Sequence, residues 1–203
     1  MAAPRLTRDE KKAQTRQRLL DAAAVVFARK GLGAASLDEI AAEAGLTKGA
    51  VYSNFANKEE LVLAVLDQRS HERSRATIDH VDLSGDARVE ARRAGDLFVQ
   101  MEKQEAWLIQ LWLEALGYAT RNPEFGSRMA AGQRTALTDM AEIIELTVKE
   151  FDVALPMPPF EMAVFFNALV NGLIIETMLN PDIVPDDFLG RAIAMVFDAA
   201  ASE

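Results

Sequence analysis

Between Ser36 and Leu61 the chain carries the residues best suited to chemistry, and that chemistry is anion recognition. Thr47 and Asn57 are residue types that cap helix starts, and each is followed directly by a lysine, Lys48 and Lys58. A helix N-terminus disfavours a cation by roughly 0.3–1 kcal/mol, because the aligned peptide dipoles are positive there. A phosphate docked at the same end reverses that penalty and takes up the free backbone N–H groups. Exposed lysines also occupy such positions without any ligand, so the two lysines alone leave both readings open.

The elements that must position them follow from local signals. Ser36 caps a helix, with Glu39 in place for a capping box. Leu37, Ile40, Ala41 and Ala44 then share one face. Gly45 can take the left-handed conformation that ends a helix, and Leu46 fills the corner. Thr47 opens a second helix, with Val51 and Phe55 turned to a small core. Lys48, Gly49, Ala50, Tyr52, Ser53 and Asn54 are left on its outer side or margin. Asn57 opens a third helix, with Glu60 in the capping-box position. Two short helices about a tight turn fit the DNA major groove. Tyr52 has a second reading, as a core residue with a satisfied hydroxyl.

The pattern Ile40-Ala-x3-Gly45-Leu-Thr-Lys-Gly49-Ala-Val-Tyr52-x2-Phe55-x2-Lys58-x2-Leu61 resembles the DNA-binding signature of TetR-type (TetR/AcrR) transcriptional regulators. The resemblance covers about residues 12–65. It implies a recognition helix over 48–54 with Thr47 as its cap. Ala50 and Ser53 would face base edges, where a methyl group meets thymine and a hydroxyl donates or accepts. Gly49 would allow close approach. Tyr52, Asn54 and Lys58 would reach phosphates, and Ser36 would touch the DNA backbone from the other helix start. Asn54 stands where the family more often has His or Tyr.

Composition narrows the alternatives. The 203 residues are half apolar, enough for a sizeable core. There is no cysteine, which fits a reducing cytoplasm. No apolar run approaches a membrane span, the start lacks the apolar core of a secretion signal, and Met1–Leu6 reads as a short arm. The net charge of −9 is unevenly spread. Residues 1–60 hold ten Lys/Arg against eight Asp/Glu, and the remaining residues twelve against twenty-three. Arg5, Arg8, Lys11, Lys12, Arg16 and Arg18 concentrate positive charge at the front. An acidic body with a basic head leaves nucleic-acid binding to a local patch. Arg16 and Arg18 read equally well as phosphate contacts and as an ordinary solvated helix start. Catalysis finds little support. His71 and His80 are the only histidines, and the chain has no phosphate-binding glycine loop and no metal-ligand spacing. We therefore expect no enzyme activity, no cofactor and no metal.

Helical signals continue to the end of the chain and no strand pattern interrupts them. The fold expected is all-α, with a three-helix DNA-binding head over 1–60 and a ligand-binding and dimerisation domain over 61–203. Helix 1 should run from the Thr7 cap to about Lys30, stopped by Gly31 and Gly33. Helix 4 should span about Lys58–His80, helix 5 Ala87–Lys103 and helix 6 Ala106–Thr120. Helix 7 should follow Asn122-Pro123 to about Phe151. After the Leu155–Pro159 linker, helix 8 should span Phe160–Leu179, and Pro185 should open helix 9.

Helix 8 is apolar nearly all round and so must be buried nearly all round. Phe165, Ala168, Gly172 and Ile175, with Ile193, Val196 and Phe197 of helix 9, are candidates for a four-helix interface between two copies, as in the family. A monomeric bundle interior is the other reading. Phe98, Met101, Trp107, Leu111, Trp112, Met129, Met162, Phe166 and Asn167 are candidates for the ligand pocket that the resemblance implies. Most such residues at helical spacing are core. A pocket lined by them suits a flat or greasy effector. The expected partners are a double-stranded DNA operator, a small-molecule effector of unknown identity and a second copy of the chain, with no membrane. The function implied is a ligand-responsive regulator, a repressor in the first instance. An activator, a co-repressor-dependent regulator and a protein-interaction module are the alternatives.

Overall fold

A computed structural model describes residues 7–80, 82 and 84–200, with the side chains of 77, 78, 102 and 197–200 excepted. The Met1–Leu6 arm, including Arg5, and the side chain of Phe197 lie outside the described residues.

Among the described residues the structure is all-α, with nine helices and no strand. They are α1 (Arg8–Ala34), α2 (Leu37–Glu43), α3 (Lys48–Tyr52), α4 (Lys58–Asp79), α5 (Ala87–Gln104), α6 (Ala106–Ala119), α7 (Pro123–Glu150), α8 (Pro159–Leu179) and α9 (Phe188–Ala200). They pack as two compact units, one of 1–68 with 107–129 and one of 69–106 with 130–203.

The first unit closes over one apolar core. Leu19, Val26, Ile40, Val51, Phe55, Leu61 and Val62 are at most 1% exposed, and Leu108, Leu111, Ala115 and Phe125 join them from α6 and α7. Burying a side chain of this size is worth about 1.5–3 kcal/mol. Tyr118 meets Phe125 edge-on, ring centroids 5.1 Å apart. α1 extends past the stop expected near Lys30, but Gly31 breaks it with φ 71° and ψ −179°. That conformation is essentially reserved for glycine, so the last turn to Ala34 is a separate piece of helix.

In the second unit, α5 and α9 cross at their glycines. A Cβ on Gly95 would lie 2.7 Å from the Gly190 Cα, so neither position has room for a side chain. Met162, Ala163, Phe166, Leu189 and Ala194 are buried here. α9 begins at Phe188 and not at Pro185. The intervening acids are held elsewhere, Asp186 by Lys103 at 2.6 Å and Asp187 by Arg92 at 3.2 Å.

α8 corrects two expectations. No apolar run was expected to approach a membrane span, yet an 18-residue stretch of this 21-residue helix has a mean hydropathy of 1.7, long and apolar enough to cross a membrane by length and composition. Nor is it buried nearly all round, as its composition led us to expect: Phe165, Ile175, Met178 and Leu179 are 43–79% exposed, and only Glu161 and Glu176 carry charge. The core helix of a soluble protein satisfies the same measure.

Gly31→Ala should lower the stability of the fold by about 1–3 kcal/mol, since it forces a side chain into a glycine-only conformation. Its Cβ would also meet a carboxylate oxygen of Glu114 at 2.6 Å. Urea denaturation of the two proteins checks this.

Candidate nucleic-acid interface

α2 and α3 are seven and five residues long. Each depends on side chains to satisfy its ends. At the start of α2, Glu39 N–H donates to Ser36 Oγ at 3.3 Å, and Ser36 N–H and Oγ donate to Glu39 Oε2 at 3.2 and 3.0 Å. Both halves of the capping box are thus made. Gly45, with φ 62°, turns the chain. Thr47 Oγ1 then accepts from Ala50 N–H at 3.2 Å and starts α3. Asn57 Oδ1 accepts from Glu60 N–H at 2.8 Å and starts α4. Glu60 reaches back to Ala56 N–H at 2.7 Å, one residue earlier than a capping box requires.

Carbonyls at the end of α2 and just past α3 are held from α1, and those at the end of α1 from α4. Arg18 donates to Ala44 O at 2.7 Å, at the C-cap of α2. Arg16 donates to Asn54 O at 3.3 Å and lies over the Phe55 ring, 4.3 Å from its centroid. Cations suit the negative ends of helices. Lys58 Nζ donates to Leu32 O at 2.8 Å, Ala35 O at 3.0 Å and Gly33 O at 3.4 Å. These three basic residues therefore grip backbone.

Val51 and Phe55 anchor α3 from beneath, and its other face is open. Lys48, Gly49, Tyr52 and Ser53 are exposed, Tyr52 by 59%, so the reading of Tyr52 as a core residue does not hold. Ala50 and Asn54 are half-buried. Regular helix ends at Tyr52, two residues before the expected Asn54, because Asn54 N–H bonds Val51 O at 3.0 Å in a tighter turn. The Asn54 amide folds back on Ala50 O at 2.8 Å, and Ser53 Oγ donates to the same carbonyl at 3.0 Å. Ser53 Oγ in turn accepts from Asn54 Nδ2 at 3.3 Å. Lys48 pairs with Asp38 of α2, both exposed.

Acids on α2 are tied in turn to α1. Lys30 bonds Glu39, and Arg29 meets Glu43 at 3.5 Å. The Glu39 carboxyl is held below its ordinary value of 4.5, first by the bond from Lys30 and then by Ser36.

The nine pocket candidates divide between the units. Leu111 is buried in the core of the first, with Trp107 and Met129 packed on it, and Trp112 is half-buried on α6. In the second, Met162 and Phe166 are buried, and Phe98, Met101 and Asn167 are half-buried. A groove of about 470 Å³ in the second unit is lined by other residues, among them Val89, Arg92, Arg93, Leu97 and Gln100. On α8, Phe165, Ala168, Gly172 and Ile175 are exposed, and a Cβ on Gly172 would meet nothing within 4 Å. Ile193 and Val196 of α9 are half-buried, Ile193 near Gly95. Sequence reasoning missed Met178, Leu179, Ile183 and Met195, which are 51–79% exposed. It also missed the backbone bonds of Arg16, Arg18 and Lys58, whose partners lie 23–38 residues away. No metal-ligating cluster occurs among the described residues.

Residues 19–65 match the family model for bacterial regulatory proteins of the tetR family. Residues 87–202, more than half the chain, match that of the BetI-type transcriptional repressor C-terminal domain. The chain is 38% identical over 111 residues to the nicotine-responsive transcriptional repressor HdnoR of Paenarthrobacter nicotinovorans, covering 55% of this chain and 57% of that protein. Across the curated relatives the match spans less than two thirds of their own length. Among solved structures, a putative TetR-family regulator from Rhodococcus sp. superposes with a TM-score of 0.72 at 20% identity, over 93% of this chain and 98% of that one. SmeT, the repressor of the Stenotrophomonas maltophilia multidrug efflux pump SmeDEF, superposes with 0.61 at 24% identity, over 94% and 92%. These likenesses show the same fold.

The depressed Glu39 carboxyl ties stability to pH. Its contribution is present above the unfolded value of 4.5 and is lost as pH falls through the lower folded value. Glu39→Gln should therefore lose less stability in acid than the wild type does. Urea midpoints taken between about pH 3 and 6 check this.

Proposed function

Because the chain belongs to the TetR family of bacterial transcriptional regulators, we propose that it is a repressor that reads a palindromic operator as a dimer and is released by a small apolar or aromatic effector. The carrying observation is the open face of α3. Beneath it Val51 and, past its end, Phe55 are at most 1% exposed, while Lys48, Gly49, Tyr52 and the C-cap Ser53 are exposed. In this reading Ala50 and Ser53 meet base edges, Lys48 and Tyr52 meet phosphates, and Gly49 admits close approach. Ser36 and Asn54 approach the DNA backbone from either side, and Thr47 sets the start of the reading helix. Lys58, half-buried at the start of α4, has its ammonium bonded to three carbonyls. Any phosphate contact from it would be made in competition with them.

A second copy is supported by the exposed line along α8. Glu161, Phe165, Ala168, Gly172, Ile175 and Leu179 are exposed and fall at alternating spacings of four and three. That is the period of a seam between two helices. A two-fold pair of heads spaced by one turn, about 34 Å, would read an inverted repeat in the cytoplasm, where the DNA is.

Repression is supported by the BetI-type match and by the names of two relatives, a nicotine-responsive repressor and an efflux-pump repressor. An effector held by the helices of the 61–203 domain would favour a shape in which the 1–60 heads no longer match the operator. Its leverage is limited to its difference in affinity for the two shapes.

Selection of a random duplex library by the purified protein tests the reading. An enriched inverted repeat with half-sites about one turn apart is expected; enrichment no better than for non-specific binding would sink it. Gly172→Leu should weaken self-association and, with it, operator affinity. Sedimentation equilibrium of both proteins would show this, and an unchanged dimer would place the seam elsewhere.

A further inference from the structure

We propose that Glu114 is a positioning residue for DNA reading: from α6, outside the reading motif, its carboxylate holds the hinge that sets where α2 and α3 stand. The proposal rests on the DNA-reading function above.

The hinge is residues 31–35. Gly31 breaks α1 with φ 71° and ψ −179°, and Ser36, the cap of α2, follows at once. Any shift of the hinge is therefore passed to α2 and, through the Gly45 turn, to α3. Leu32 N–H donates to Glu114 Oε2 at 2.7 Å, and Gly33 N–H does so at 3.4 Å. A Cβ on residue 31 would lie 2.6 Å from Glu114 Oε1. The bare backbone of Gly31 thus makes room for this carboxylate. On the acceptor side, Lys58 Nζ takes the carbonyls of Leu32, Gly33 and Ala35. N–H groups bonded to a carboxylate and C=O groups bonded to an ammonium fix the backbone of the segment, while the Leu32 and Ala35 side chains pack on the head core.

α6 is suited to this role. Leu108, Leu111 and Ala115 sink into the head core, at most 2% exposed. One turn beyond Glu114, the Tyr118 hydroxyl donates to Glu59, the neighbour of Lys58 on α4. That bond raises the Tyr118 phenol above its ordinary value of 10.0. Glu114 and Tyr118 therefore bond the hinge and the start of α4 from one face of α6. At Ala106–Trp107 the chain passes from the second packing unit into the first, so this face belongs to the helix by which the chain returns to the head.

The test compares the full-length wild type with Glu114→Gln and Glu114→Ala in two measurements. One is amide hydrogen exchange over 31–36. The other is affinity for the duplex that the wild type enriches from a random library, taken across a salt series. Gln keeps an acceptor oxygen for Leu32 N–H and Ala keeps none. Glu114→Ala should exchange faster at Leu32 and Gly33 and bind about five-fold more weakly, with the salt slope unchanged because the phosphate contacts are intact. Glu114→Gln should stay within about two-fold of the wild type. Wild-type exchange in the Ala variant would show that Glu114 does not hold the hinge. Faster exchange with unchanged affinity would confine it to a structural role. A Gln variant as weak as Ala, with a matching loss of Tm, would do the same. Should the wild type enrich no duplex, the DNA-reading function falls and takes the positioning role with it; the exchange result still tells whether Glu114 holds the hinge.

Discussion

Helices of seven and five residues are too short to persist in water, because nucleation costs more than so few internal bonds return. Nearly every backbone group in α2 and α3 belongs to a helix end and lacks an internal partner. The reading head exists because other groups supply those partners. Ser36, Thr47 and Asn57 serve the N–H ends of three successive helices. Arg16 and Arg18 serve carbonyls beyond α3 and α2, and Lys58 those of the hinge. The apolar residues beneath, Ile40, Val51 and Phe55, then hold a unit whose ends are already satisfied.

This division also explains what could be read from the sequence. Caps act within three residues, so Ser36 with Glu39 and Thr47 with Ala50 are visible as local patterns. Bonds from Arg18 to Ala44, or from Leu32 to Glu114, join residues 26 and 82 positions apart and leave no local trace. Lys58 shows the difference most clearly. Its place after a cap suggests a phosphate ligand, whereas in three dimensions its ammonium bonds the carbonyls of Leu32, Gly33 and Ala35. The end of α3 differs for another, local reason: the Asn54 N–H bonds Val51 O in a tighter turn, which ends regular helix at Tyr52. Helix periodicity gave the order of elements correctly. It could not say which core each apolar residue joins, and Leu111, expected in a pocket, is a core residue of the head.

The second unit applies a different rule. Where α5 and α9 cross, the backbones meet at Gly95 and Gly190, and contact replaces capping as the organising force. α8 is mostly apolar and buries Met162, Ala163 and Phe166, yet Phe165, Ile175, Met178 and Leu179 are open. A helix of this composition with one bare side has unmet apolar area, and its four-and-three spacing gives that area a direction along the helix.

The pair between Lys48 and Asp38 gives the reading face a property of its own. The lysine already has a rival anion, tethered beside it and present at high local concentration. In the DNA-reading function proposed above, an incoming phosphate would have to displace that rival. An exposed pair of this kind is worth only about 0–1 kcal/mol, so the barrier is low. A polyanion touching Lys48 alone gains little by the exchange. One aligned with several other groups of the face gains far more than the exchange costs. In that reading the ion pair would act as a filter on loose contact, set by two side chains ten residues apart.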